Sequence, residues 1–359
     1  MKNFLLFKGK KVLITGHTGF KGSWLVAFLH GFGAKIIGIS NGLVSIPSHY
    51  KLLKLEKKIY SKDLDIRNLK LLKKFIKFQQ PDFIFHLAAQ SLVKKSYEDP
   101  LKTWSTNTFG TINILESLRL IKKKCTVVLI TSDKAYKNLE IKRGYKENDR
   151  LGGKDPYSAS KAAADISISS YINSFFSHKD NNVFIATARA GNVIGGGDWS
   201  SDRLIPDCVR SWSKNKTVLL RSPKSTRPWQ HVLEVVYGYI LLASKLHKNR
   251  KLHGQIFNFG PANNQNYTVI SLVRLMKKFW VNVSWKIINK QYLFKESALL
   301  KLNSKKARKS LNWKPVLSFK ENMFLVTNWY KNFYSNNSKI QELTFDQIEY
   351  YKNKLKKNK

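Results

Sequence analysis

Short apolar runs alternate with longer periodic stretches through the first half of the chain. Lys11-Val-Leu-Ile-Thr15 reads as a buried strand, and Phe20 to Gly31 reads as a helix with one apolar face. Lys35-Ile-Ile-Gly-Ile39 predicts a second strand, Asn68 to Phe78 a helix, and Phe83-Ile-Phe-His86 a third strand. A helix from Asn107 to Ile121, a strand Val127-Val-Leu-Ile130, a helix from Tyr157 to Phe175 and a strand from Val183 to Ala188 continue the alternation. Strands and helices alternating at this spacing predict an α/β chain with a Rossmann-type, doubly wound parallel sheet. Such sheets bind ligands at the carboxyl ends of their strands.

After Arg189 the pattern changes. Gly191 to Trp199 is loop-rich, His231 to Leu246 is helical again, and Gln255-Ile-Phe-Asn-Phe259 is strand-like. From Gly260 onward the elements look shorter and less regular, and Tyr350 to Lys359 reads as a basic helix end or a frayed tail. The expectation is a cofactor domain of residues 1–190 plus 230–258, and a smaller, discontinuous C-terminal substrate lobe of residues 191–229 plus 259–359.

No apolar run reaches the roughly 18 residues of a membrane helix, and the N-terminal apolar stretch is too short for a signal peptide. Cys125 and Cys208 are the only cysteines. They build no disulfide framework, so a reducing, cytoplasmic setting is expected. The formal net charge of +41 raises nucleic acid or an anionic membrane as partners. The lysines, however, are spread along the whole chain rather than gathered with arginines and aromatics. The charge therefore reads as a solvated positive surface that attracts a small anionic substrate, with no nucleic-acid or membrane partner.

Candidate chemistry begins at Thr15-Gly-His-Thr-Gly-Phe-Lys-Gly22, between the first strand and the first helix. Gly16, Gly19 and Gly22 permit a tight turn and close approach of a pyrophosphate to a helix N-terminus, with Thr18, Phe20 and Lys21 around it. Ser40-Asn41 stand where an acidic ribose ligand is usual, and no Arg signals a 2′-phosphate. The choice between NAD and NADP is thus open at that point. Asp65 either accepts from the adenine amino group or caps the following helix.

Tyr157 and Lys161 stand at i, i+4. A lysine one turn away, with an oxidised nicotinamide, lowers a phenol's pKa toward that of a general base. Ser132, Asp133 and Lys134 follow a strand end opposite this pair. A simple dehydrogenase does not need so many proton-transfer groups. They fit an oxidation coupled to loss of water, with Asp133 as acid and Lys134 as base.

With its Thr15 to Trp24 loop, Arg189-Ala-Gly-Asn-Val-Ile-Gly-Gly-Gly-Asp-Trp199, Thr226-Arg-Pro-Trp-Gln-His231 and Lys134, the chain resembles the extended short-chain dehydrogenase/reductase family, and within it the CDP-glucose 4,6-dehydratases. The resemblance runs from about Lys10 to about Pro315. It implies tightly held NAD, oxidation of CDP-glucose at C4, elimination of water across C5 and C6, and return of hydride to C6. By resemblance Tyr157 is the C4 base, Ser132 its helper, Asp133 the acid and Lys134 the C5 base. His86-Leu-Ala-Ala-Gln90 and Asn107-Thr-Phe-Gly-Thr111 are general to the superfamily. They imply Ile66, Leu87, Ala88, Ala89 and Asn107 at the cofactor and Gln90 at the substrate. Arg227 is the candidate diphosphate clamp, with Asn192, Arg203, Trp229, His231 and Arg308 as further substrate contacts. Asn192 also reads as a turn residue, and Trp229 and His231 as packing of the lobe. Paired helices over 107–121 and 157–175 imply a homodimer or a dimer of dimers. Ala135 in place of Cys, Lys94-Lys95 in place of an arginine-rich pair, and Asn303 in place of Asp depart from the pattern. Rival readings are a dTDP- or GDP-sugar dehydratase, a 4-epimerase, and a non-catalytic NAD binder.

Overall fold

The computed structural model describes residues 2–261, 267–288 and 299–358. Seven parallel strands form its centre: β1 (Lys11–Thr15), β2 (Lys35–Ser40), β3 (Tyr60–Asp63), β4 (Phe83–His86), β5 (Cys125–Ile130), β6 (Val183–Ala190) and β7 (Ile256–Phe259). Their spatial order is β7-β6-β5-β4-β1-β2-β3. Because side chains alternate across a strand, each central strand feeds two cores. Val12, Ile14, Phe83, Phe85, Val128 and Ala186 enter one. Leu13, Ile84, Val127, Leu129 and Ile185 enter the other. Burial on both faces explains why these strands read as continuous apolar runs.

Helices cover both faces. α1 (Phe20–His30) lies on one face, while α2 (Leu69–Gln79), α3 (Gly110–Leu118) and α4 (Pro156–Tyr171) lie on the other. α1 has no solvent face to speak of: Gly22 through Leu29 are all buried. A helix apolar all round is an interior helix, and later segments of the chain supply its cover. Trp24 Nε1 donates to the Gly196 carbonyl at 2.9 Å, and Val232 to Leu246 share its core.

The segment beyond β6 builds a second cluster from α5 (Leu204–Trp212), short strand pairs, α6 (Val232–Lys248) at its border, and α7 (Val269–Lys277). Two long helices follow, α8 (Phe319–Ser335) and α9 (Ile340–Lys357). This corrects the expectation of short, irregular elements after Gly260. The local signals are a capping box, in which Ser318 and Glu321 bond each other's backbone, and buried Ile340, Thr344, Gln347, Ile348 and Tyr351 at helical spacing. The last turns are therefore a packed helix rather than a frayed tail; Lys359 itself lies outside the described residues. Met323, Val326 and Trp329 join the lobe's cluster. Ala307, Leu311, Trp313, Leu317, Ile348 and Tyr351 instead pack into the larger core.

The chain turns in opposite directions at β1 and β4, which lie side by side with Thr15 opposite His86. Everything that follows those two residues opens into one crevice at the carboxyl ends of the strands.

Candidate active site

The glycine loop is shaped by steric necessity. Gly16 has φ +71°, and a Cβ there would lie 2.8 Å from the Ala88 Cα. A Cβ on Gly22 would lie 2.1 Å from the Gly16 carbonyl oxygen. Only glycine allows the first turn of α1, the loop and the 87–89 backbone to meet this closely. Gly19 donates its N–H to the Gly16 carbonyl at 3.1 Å. Thr18 donates its hydroxyl to the Gly42 carbonyl at 2.8 Å. Across the crevice Leu87 donates to the Thr15 carbonyl, and Ala88 to the Thr15 hydroxyl at 3.1 Å. The half-buried Ala89 and Gln90 continue this wall. This tight loop at the N-terminus of α1, which a Cβ at 16 or 22 would force apart, fits the pyrophosphate of a dinucleotide.

The adenosine end differs from the expectation. Asp65 does not cap α2; Asn68 does, accepting from the Leu71 N–H at 3.1 Å. The Asp65 carboxylate instead receives Arg67 Nε and Nη2 and the Asn41 amide, the last at 2.7 Å. These donors hold its carboxyl below the usual range. An acid from the end of β3 thus stands at the end of β2, where Ser40-Asn41 supply none. The Ile66 side chain is 4% exposed in the core, and its carbonyl accepts from the Asn113 amide. Asn107 lies in a π-helical turn ahead of α3, a feature frequent at functional sites. Its amide brackets Gln90, accepting from the N–H at 2.8 Å and donating to the carbonyl at 3.0 Å. It also donates to the Ser160 hydroxyl.

The acid–base groups converge from two elements. After β5, Ser132 caps a 3-10 turn, Asp133–Ala135. Opposite, Asp155 and Ser158 form a capping box with Pro156 in the first turn of α4. This places Tyr157 in that first turn and Lys161 one turn on. Ser132 donates to Asp133 Oδ1 at 3.1 Å, and its hydroxyl also faces the Tyr157 phenol. The Lys134 ammonium lies 5.8 Å from the Tyr157 ring centroid. Asp133 is 2% exposed, and its Oδ2 is buried without a partner. Burial, opposed by Lys134, Ser132 and Lys21, raises the Asp133 pKa. That favours a protonated acid able to donate.

The lowering expected for Tyr157 counts on a bound oxidised nicotinamide as well as on Lys161. In the protein alone, burial raises the Tyr157 pKa, with Ser132 and Arg203 pulling the other way. The phenol has lost its water, and the protein's own groups do not make up the difference. Lys161 shows the complementary effect: burial and the neighbouring Lys21 lower it to about 8, while Asp165 opposes them. Lys21, half-buried in the glycine loop, is likewise lowered to about 8, chiefly by burial and then Arg203, against Asp133 and Asp198. Lys21, Asp133, Lys134, Tyr157, Lys161 and Arg203 therefore form one coupled cluster.

On the substrate side, Arg203 donates to Asp198 Oδ2 at 2.7 Å and to the Ser91 hydroxyl at 3.4 Å. Asp198 was not singled out from sequence, although it is the lone acid in the Gly191 to Trp199 run. Asn192 has φ +49°, the left-handed conformation of a turn, and its carbonyl accepts from Gln230. Arg227 lies on a two-residue strand paired with Tyr267 and donates to the Thr226 carbonyl. Arg308 has Nε and Nη2 buried with no hydrogen-bond partner among the described residues, an arrangement that calls for an anion. Trp229 is 8% exposed in the lobe's core and donates to the Tyr267 carbonyl. His231 is fully buried and caps α6 by accepting from the Leu233 N–H at 3.3 Å. The structure thus places the Trp229 and His231 side chains in lobe packing and helix capping.

Comparison with known proteins follows the same lines. A family model described as GDP-mannose 4,6 dehydratase matches residues 13–324. A CDP-glucose 4,6-dehydratase of Salmonella typhimurium (strain LT2) is 42% identical over 334 residues, covering 92% of each chain. Among solved structures, the epimerase Mth375 of Methanothermobacter thermautotrophicus aligns with a TM-score of 0.80 at 23% identity, over 94% of this chain and 97% of that one. A dTDP-glucose 4,6-dehydratase from Bacillus anthracis, solved in complex with NAD, aligns with a TM-score of 0.73 at 22% identity, over 93% and 100% of the two chains. These two likenesses carry the fold; the family match and the Salmonella relative carry the family. The chain belongs to the extended short-chain dehydrogenase/reductase family of nucleotide-sugar dehydratases that the GDP-mannose 4,6 dehydratase model describes.

Proposed function

We propose that this chain is an NAD-dependent hydro-lyase that converts CDP-glucose to CDP-4-dehydro-6-deoxyglucose and water, supplying deoxysugar synthesis for surface polysaccharide. One observation carries the reading beyond a dehydrogenase: a buried acid and a lysine, Asp133 and Lys134, share the pocket of Tyr157 and Lys161. An epimerase needs no such second pair. The extensive identity to a CDP-glucose enzyme supports cytidine as the base.

The glycine loop, the 87–89 backbone and Asn107 would hold NAD, with Tyr157 and Lys161 at its reactive end. Bound NAD supplies a hydride acceptor for C4 and returns the hydride to C6. The protein moves the protons. Tyr157, bonded to Ser132, takes the proton of the C4 hydroxyl, helped by the Lys161 charge. Lys134, in its neutral amine form, takes the C5 proton, made acidic by the new C4 carbonyl. Asp133 gives its proton to the C6 hydroxyl, which leaves as water while the C5–C6 double bond forms. Lys134 returns a proton to C5. Arg203, Arg227 and Arg308 clamp the diphosphate, and the unpartnered Arg308 nitrogens fit that role best.

The assembly we assign is a homodimer, or a dimer of such dimers. Leu101, Phe109, Ile166 and Phe175 are exposed on the helical face that carries α3 and α4, an apolar surface of the kind that a partner covers. The charge stays a solvated surface with no nucleic-acid partner. Among the described residues no helix is long and apolar enough to cross a membrane. Two buried free cysteines suit a reducing cytoplasm. We propose a cofactor domain and a discontinuous substrate lobe, with Ala307, Leu311, Trp313, Leu317, Ile348 and Tyr351 packing into the cofactor domain's core.

The test is incubation with CDP-glucose and catalytic NAD, followed by mass spectrometry of the sugar nucleotide. Loss of one water without net NADH is the expected result. Lys134→Ala should reduce kcat by roughly 10²–10⁴-fold. An unchanged mass would sink CDP-glucose, and parallel reactions with dTDP-glucose, GDP-mannose and UDP-glucose would then identify a sister enzyme or a silent binder.

A further inference from the structure

Arg189, next to last in β6, is a buried cation that the chemistry above does not use. Its side chain and that of Asp165 are each 1% exposed. Nε and Nη2 donate to the two Asp165 carboxylate oxygens, both at 3.1 Å. Nη1 donates to the Tyr136 hydroxyl at 2.7 Å and to the Glu147 carbonyl at 3.0 Å. The guanidinium carbon also lies 4.7 Å from the Tyr136 ring centroid. The Tyr136 hydroxyl in turn donates to Asn258 Oδ1 on β7 at 2.9 Å.

Two of these partners, Asp165 and Tyr136, adjoin the groups that carry chemistry. Asp165 follows Tyr157 and Lys161 at i+8 and i+4 on α4, and so lies on the same face of that helix. Tyr136 immediately follows the Asp133–Ala135 turn. Two residues beyond Arg189, Gly191 backs the Asp133 carboxyl so closely that a Cβ would lie 1.7 Å from Oδ2. One side chain thus joins the Tyr157 helix, the Asp133 turn and the strand end behind it. A buried ion pair is a weak device for stability, because desolvation offsets its attraction. Its forked geometry is a strong device for alignment.

We infer that Arg189 is a positioning residue: through Asp165 and Tyr136 it sets the register between the helix of Tyr157 and Lys161 and the turn of Asp133 and Lys134, so that both proton-transfer pairs meet one sugar. The inference rests on the dehydratase reading. A displacement of about 1 Å between catalytic groups costs up to about a hundredfold in rate, so the network need only slip to be felt.

Three variants test it: Tyr136→Phe, Arg189→Lys and the neutral pair Asp165→Asn/Arg189→Met. Each is checked for folding by thermal unfolding and assayed with CDP-glucose, or with whichever sugar nucleotide the wild type dehydrates. Wild-type failure on CDP-glucose would sink the substrate reading alone, whereas the variant-to-wild-type ratio tests the positioning role. The expected result is a kcat lowered about ten- to a hundredfold with KM little changed. The neutral pair carries a second readout. Lys161 is faced by His86, Lys21 and Asp165, with Tyr157 one turn before it on α4. Without the Asp165 charge it releases its proton more readily, and the alkaline limb of kcat/KM moves to lower pH. A folded Tyr136→Phe or neutral-pair variant with wild-type kcat and an unmoved limb overturns the inference. So does full kcat in Arg189→Lys, which would reduce Arg189 to a counter-charge. If the neutral pair does not fold, Tyr136→Phe, which leaves the ion pair intact, decides alone.

Discussion

Burial acts on Tyr157 and Lys161 in the direction that suppresses charge on each. The phenol rises, and the ammonium falls to about 8 from 10.5. Below about 8 the ammonium is charged and supports a phenolate; above it the support is lost as the proton leaves. Because kcat/KM reports groups of the free enzyme, it should fall on the alkaline side of about pH 8. A pH series at fixed ionic strength measures this, and a flat profile through pH 10 would show that the lysine's charge does not govern the phenol. Burial also raises the pKa of Asp133 in the same pocket, the direction that the proposed acid needs. Two titratable sets held apart by environment are what a coupled oxidation and elimination require.

At the scale of elements, position comes from the way strands end. Thr15 and His86 lie opposite each other at the switch point, share a hydrogen bond of 2.7 Å, and send the glycine loop and the 87–90 wall into one crevice. Gly22 is the tightest point of the loop. Gly22→Ala should leave the sheet intact yet displace the loop, weakening NAD binding by at least about tenfold, since the added methyl collides with backbone rather than with a flexible side chain. Calorimetric titration with NAD measures it, and wild-type affinity would show that the loop does not bear on the dinucleotide. The proline and capping box of α4 hold Tyr157 in its first turn, where a frayed end would blur the distance to Ser132 that the proposed chemistry needs.

The whole molecule has two surfaces of consequence. The +41 charge is distributed, so the effect proposed for it is long-range attraction of an anionic nucleotide, weakened by salt. The apolar helical face is local. Leu101→Glu with Ile166→Glu should convert the proposed dimer to a monomer in light scattering, because both side chains are exposed in the single chain and charge there disfavours only the interface. An unchanged mass would move the interface elsewhere.

Periodicity and local motif determined much of this protein by themselves. The alternation around Leu13, Ile84 and Val127, the glycines at 16, 19 and 22, and the Tyr157–Lys161 spacing are all written within a few residues, because strand pleat, tight turns and helix pitch are local constraints. Tertiary structure decided the rest. It buried α1 on every side, joined Asp65 to Arg67 and Asn41, and turned His231 into a helix cap. It excluded water from the Tyr157 phenol and so raised its pKa in the protein alone, and left two Arg308 nitrogens without a partner among the described residues. Each of these depends on which distant segment excludes water or supplies a donor. Solvent exclusion is a property of the packed chain, and no local stretch of residues carries it.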